Sequence, residues 1–192
     1  MKALHYAILL VMLAAFAAVL SQKAIAGSGE TIPAPIGQFS VTIQGSLVLC
    51  YNAKTSDQES CTTSGAIPVA LTELEVGMQT RDATGSGGTI PTVLTALPPG
   101  VMPPDILSEH IVNTLTDYDP ATGTGDTSFI SYVGGKCVGA KFDKTGATVA
   151  STGTNHLVVS QRGDRIDVVT TGLTNSTGSI GAFSLTNTAL RQ

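Results

Sequence analysis

The sequence predicts an all-β protein: a single antiparallel up-and-down barrel of about eight to nine strands, with a two-sheet β-sandwich as the alternative. Three observations lead there. From Phe39 to Tyr51 apolar residues recur at every second position, which puts them on one face of a strand and scatters them around a helix. Clusters of Gly, Thr, Asp and Pro return at about every 8–15 residues, the rhythm of antiparallel barrels and sandwiches. Charged residues are only 12% of the chain, Trp is absent and Gly, Thr and Ser abound, a composition closer to extracellular β-proteins with polar turns than to a helical cytosolic enzyme.

The chain opens as if made for export. Lys2 supplies a positive start, Tyr6 to Leu20 is an unbroken apolar run, and Ala24-Ile25-Ala26 places small residues where a signal peptidase needs them. Residues 1–26 therefore read as a signal peptide. The apolar run is shorter than the roughly 20 residues a retained membrane helix requires. No later stretch is apolar enough to span a bilayer as a helix, so a secreted protein, extracellular or periplasmic, is expected. Residues 27–35 (GSGETIPAP) read as a polar, flexible lead-in, and 36–192 as one all-β domain.

Within that domain the first strand is the clearest. Phe39, Val41, Ile43, Gly45, Leu47, Leu49 and Tyr51 share one face, and Gly45 suggests a bulge or sharp bend of the kind barrels use at corners. A second strand spans 67–80. Its apolar parity changes near Thr72, from Val69 and Leu71 to Leu74, Val76 and Met78, which predicts a bulge. Pro91 makes the third strand, 89–97, an edge or broken strand. Residues 98–104 (PPGVMPP) suit an extended surface crossing. Further strands follow at about 109–118, 127–133, 136–142, 147–160, 165–173 and 179–190, by the same alternation and turn signals. The expected core is Phe39, Val41, Ile43, Leu47, Leu49, Leu157, Val159, Phe183 and Leu185.

Charge excludes several functions. Beyond residue 26 the chain carries eight basic and fourteen acidic residues, a balance of −6. Scattered cations on an acidic chain bind neither nucleic acid nor an anionic membrane surface. Of the three cysteines, Cys50 and Cys61 bracket a polar loop and are expected to form a disulfide in an oxidising compartment. Pairing of Cys61 with Cys137 stays open. Cys137 is otherwise a small buried hydrophobe, an interchain bridge or a reactive thiol.

Other motifs have ordinary readings. Arg162-Gly163-Asp164 matches an integrin-binding tripeptide, yet Gly and Asp also suit the hairpin tip expected there. Asp117, Asp119 and Asp126, on a Gly-rich loop, are weak calcium candidates; their spacing is not that of an EF-hand. His110 and His156 lie on separate strands without zinc-site spacing. Glu73 and Glu75 share a strand face, but the 5% aromatic content gives a two-carboxylate glycosidase few sugar platforms. Asn175-Ser176-Thr177 is a glycosylation sequon. None of the recognised nucleophile motifs is present, so the expectation is a non-enzyme without cofactor.

Gly37-Gln38-Phe39 at the start of the first strand and Arg191 at the end of the last give the domain a faint resemblance to lipocalin-like (calycin) barrels. In that family a Gly-x-Trp opens the first strand and a basic residue from the last strand packs near it; Phe39 stands here in place of Trp. The chain also resembles secreted bacterial β-proteins of unassigned function. The resemblance implies binding of a small apolar ligand inside the barrel. A structural or surface-interaction role with a protein partner is the alternative, and an enzyme of unrecognised type the third.

Overall fold

The computed structural model describes residues 31–96 and 105–192. Their chain forms ten strands: β1 (Gly37–Tyr51), β2 (Ile67–Arg81), β3 (Gly87–Ala96), β4 (Asp105–Asp119), β5 (Thr124–Val133), β6 (Lys136–Val138), β7 (Lys141–Asp143), β8 (Thr148–Val159), β9 (Arg165–Thr174) and β10 (Ile180–Arg191). Eight of them close into one antiparallel barrel in the order β1-β10-β9-β8-β5-β4-β3-β2. Closure decides between the two architectures: β1 pairs with β2 on one side and with β10 on the other, so the sheet has no edge to leave bare. The expected signal peptide and the Pro-rich crossing at 98–104 lie outside the described residues.

β6 and β7 are the exception to the meander. The single strand expected over 136–142 is instead a two-stranded hairpin, turning through Gly139, and it sits outside the barrel wall. Phe142 brings its ring within 4.5 Å of Tyr132 and 5.7 Å of His110, both on the outward face of β4 and β5. Cys137 lies against Gly88 on the outward side of β3, where a Cβ would come within 3.0 Å of its Sγ.

Three expected irregularities resolve differently. β2 runs against both β1 and β3 without a register shift, so there is no bulge near Thr72. The apolar parity changes because the barrel interior turns polar. Glu73, Glu75, Gln79 and Arg81 continue the inward face of Leu71, while Leu74, Val76 and Met78 point outward and are exposed. β3 is not an edge strand but pairs with β2 and β4; its ladder to β4 skips Ile90 and Pro91, where proline has no N–H to give. At Gly45 the pairing with β10 is continuous. The glycine is needed because a Cβ there would run into the backbone of Ser184 and Leu185.

One end of the barrel is packed solid. Phe39, Val41, Leu157, Val159, Ile166, Val168 and Ala189 fill it from four strands, with Ile32 and Tyr118 against them. Of the lead-in expected at 27–35, Thr31–Pro35 does not trail away but folds across this end. Ile32 donates its N–H to the Pro120 carbonyl (2.8 Å), the Tyr118 hydroxyl donates to the carbonyls of Ile32 and Pro33, and Pro35 is fully buried. Most of the expected core residues are buried; Leu47, Leu49 and Phe183 are only half-buried, the two leucines because they face the open half of the interior.

Candidate functional site

The rest of the interior is a cavity of about 320 Å³. Eight-stranded barrels have room inside either for their own side chains or for one small ligand, and this one does both, at different ends. The apolar wall comes from Ile43, Leu47 and Leu49 on β1, Ile111 on β4, Phe129 on β5, Leu173 on β9, and Ile180 and Leu185 on β10. The polar wall is concentrated on β2 and β4, where Glu73, Glu75, Gln79, Glu109 and Asn113 line the space, with Asn187 of β10 facing it as well.

Register explains why the carboxylates meet. Ile43 of β1 pairs with Glu75 on one side and Asn187 on the other, so these three inward residues form one row across β2, β1 and β10. Glu73 lies two residues before Glu75 on β2, on the same face. Glu109 reaches the same space from β4, where it accepts a short hydrogen bond from the Ser131 hydroxyl of β5. Glu75 is 5% exposed, and its Oε2 has no hydrogen-bond partner; nor does Asn187 Oδ1. Burial, then the hydrogen bond and charge of Glu73, then the charge of Glu109, push the Glu75 pKa up to about 10. Burial also raises that of Glu109; the Ser131 hydrogen bond opposes the rise and the charge of Glu73 adds to it.

No cation answers these acids. Among the described residues no Lys, Arg or His lines the cavity. Arg81, the buried cation of β2, is six residues further along the strand, about 20 Å at the usual rise. Its guanidinium is already engaged, Nε donating to Gln79 Oε1 (2.7 Å) and a terminal nitrogen to the Gly85 carbonyl (2.6 Å). Gln79 in turn donates to Thr89 Oγ1 (2.6 Å). Desolvation lowers the Arg81 pKa to about 10, which leaves it charged at neutral pH.

The open half of the barrel is stitched at its rim. Cys50 and Cys61 are joined by a disulfide, with Cα atoms 5.2 Å apart. The loop they bracket is tied to the β9–β10 turn: Cys50 N–H donates to the Ser179 carbonyl, Cys61 N–H to that of Gly178, and the Ser179 hydroxyl to Gln58 Oε1. Gln58 and Asn175, from these two segments, reach the cavity wall.

The remaining candidates lie elsewhere. Asp117, Asp119 and Asp126 do not converge on one point. Asp117 accepts from the Tyr118 N–H, Asp119 from Ala121 N–H and the Thr122 hydroxyl, and Asp126 is 2.9 Å from His156 Nδ1. Among the described residues no three His, Cys, Asp or Glu side chains are placed to hold one metal ion, the interior glutamates included. β5 separates His110 from His156. Arg162-Gly163-Asp164 is the tip of the β8–β9 hairpin, with Gly163 at positive φ and Asp164 held by the Ser160 hydroxyl. Cys137 stands outside the disulfide, half-buried, and burial raises its thiol pKa.

Glu109, Gln79, Asn113 and Asn187 are site residues that the sequence reading passed over. Their signal was available on β2, where holding the inward parity of Leu71 through Glu73, Glu75 and Gln79 would have predicted a polar interior in place of a bulge.

Fold and site together define an all-β protein: a closed eight-stranded antiparallel barrel with an acidic internal cavity. Compared with known proteins, the chain matches no family model, no curated protein and no solved structure.

Proposed function

We propose that this is a secreted, non-catalytic carrier that holds one small, largely apolar molecule inside its barrel. The cavity is the observation that carries the reading: at about 320 Å³ it falls within the range of small-molecule sites, and one part of its wall is aliphatic and aromatic while carboxyl, amide and hydroxyl groups line the rest. The placement of Arg191 over Phe39, at 5.6 Å from the ring centre, supports the lipocalin-like resemblance, since it puts the last strand's basic residue on the first strand's aromatic. The disulfide fits an oxidising compartment, and among the described residues no helix is long and apolar enough to cross a membrane. Native mass spectrometry of the protein from its own host tests the proposal. A monomer with a small-molecule adduct lost on denaturation supports it. A bare monomer that takes up no apolar probe, with or without a Leu185→Trp substitution to fill the cavity, overturns it.

A second reading rests on the outer wall. Leu74, Val76 and Met78 of β2 and Ile90 of β3 form an exposed apolar stripe, with Met78 and Ile90 paired in register. Such a stripe suits contact with another protein. Sedimentation analysis separates the two readings, since assembly through this face gives concentration-dependent oligomers that Met78→Glu abolishes.

A further inference from the structure

We infer that the molecule held in the barrel is a cation: an organic amine whose ammonium sits among Glu75, Glu73 and Glu109 and whose apolar body lies along Ile43, Phe129 and Leu185. This rests on the carrier reading and sharpens it. The wall gathers carboxyl groups and unsatisfied acceptor oxygens, and among the described residues no cationic side chain lines it. Glu75 Oε2 is buried and unpartnered, Asn187 Oδ1 is unpartnered in the same row, and Glu73 and Glu109 bring two more carboxyl groups to the space. An unpartnered buried polar atom is costly, and three acids inside one barrel repel each other when ionised. An ammonium group removes both difficulties. It is all donor and no acceptor, and it supplies the positive charge that no cavity-lining side chain provides.

The groups facing Glu75 are Glu73 on its own strand and Glu109 from β4; Ile43 and Asn187, its row neighbours on β1 and β10, carry no charge. Arg81 is turned to Gln79 and Gly85. Burial keeps Glu75 protonated in the empty barrel near neutral pH. An ammonium beside it favours the carboxylate, so binding sends the Glu75 proton to the buffer, while a simple alkylamine, ionising near 10.4, remains charged. Affinity for an amine therefore rises with pH across the neutral range, and affinity for a neutral ligand of equal size does not.

The test is isothermal titration calorimetry of the full chain with octylamine, octanol and octanoate, in two buffers of different ionisation enthalpy. Octylamine is expected to bind about 10- to 100-fold more tightly than octanol, the usual worth of a charge-assisted hydrogen bond, with proton release to the buffer and with octanoate weakest. Glu75→Gln and, separately, Glu109→Gln should remove most of that preference, read as the ratio of octylamine to octanol affinity within each variant. Equal affinity for octylamine and octanol, unaltered in both variants, overturns the cation inference and leaves the carrier standing. Failure of all three probes to bind overturns the carrier reading itself.

Discussion

The Arg191 guanidinium lies 5.6 Å from the centre of the Phe39 ring and donates to the Ile36 carbonyl at 2.7 Å. The two residues are register partners at the place where β10 meets β1 and the barrel closes. Phe39 is fully buried at the packed end, whereas Arg191, on the same face of the sheet, is exposed at the barrel mouth and caps the ring there. Phe39→Ala should lower unfolding free energy by about 3–5 kcal/mol, as for large aromatics deleted from cores. Arg191→Ala should cost about 1–2 kcal/mol, from one exposed cation–π contact and one hydrogen bond. Urea unfolding of both single variants and the double variant checks this. Strict additivity would mean that the two side chains do not interact.

The contrast between the two ends of the barrel shows what the sequence could and could not reveal. β1 was legible because its inward face is apolar throughout, from Phe39 to Leu49, so period and burial agree. Turns were legible where Gly and Asp carry their own geometry, as in Arg162-Gly163-Asp164. β2 was misread because the same period-two logic assumes that the apolar parity faces inward. Beyond Leu71 that assumption fails: Glu73, Glu75 and Gln79 face a cavity, and Leu74, Val76 and Met78 face outward. The acidic site itself joins β2 to β4, a long-range neighbourhood that local pattern does not specify. The hairpin of β6 and β7 was missed for another reason. Gly139 takes positive φ in mid-segment, and one glycine among apolar residues does not announce a reversal.

The Cys50–Cys61 bridge closes a loop of sequence separation 11 at the cavity rim. Reduction, or Cys50→Ser with Cys61→Ser, should cost about 2–4 kcal/mol on the chain-entropy account. The loss should be accompanied by faster amide exchange in residues 52–61 and 175–179, because hydrogen bonds from Cys50, Cys61 and Ser179 join these two segments. Hydrogen exchange before and after reduction measures it. Unchanged protection at 175–179 would show that the backbone ties hold without the bridge.

Inward and outward positions of the barrel wall should differ sharply in what a substitution costs. Val76 is 52% exposed and Leu157 is fully buried. Val76→Thr should change stability by no more than about 0.5 kcal/mol. Leu157→Ala should cost about 2–5 kcal/mol, since its site is packed from several strands. Denaturant midpoints of the two variants give the comparison directly. A large loss at Val76 would mean that the outer stripe is covered in solution and would favour the assembly reading.

Glu75 makes stability depend on pH with a definite sign. Its ordinary value is 4.5, and in the folded barrel burial beside Glu73 and Glu109 moves it to about 10. Between those values the unfolded chain has released this proton and the folded chain holds it, so folding binds a proton and stability falls as pH rises. The contribution is fully present below about pH 4.5 and is lost progressively up to about pH 10. Glu109, raised by burial, acts in the same direction. Glu75→Gln keeps the shape of the side chain and removes the titration. The variant should match the parent near pH 4 and exceed it near pH 8 by on the order of 2–4 kcal/mol. Urea unfolding of parent and variant at several pH values checks the sign. A difference that stays constant with pH would mean that Glu75 titrates alike in the folded and unfolded chain, and that burial among Glu73 and Glu109 does not hold its proton.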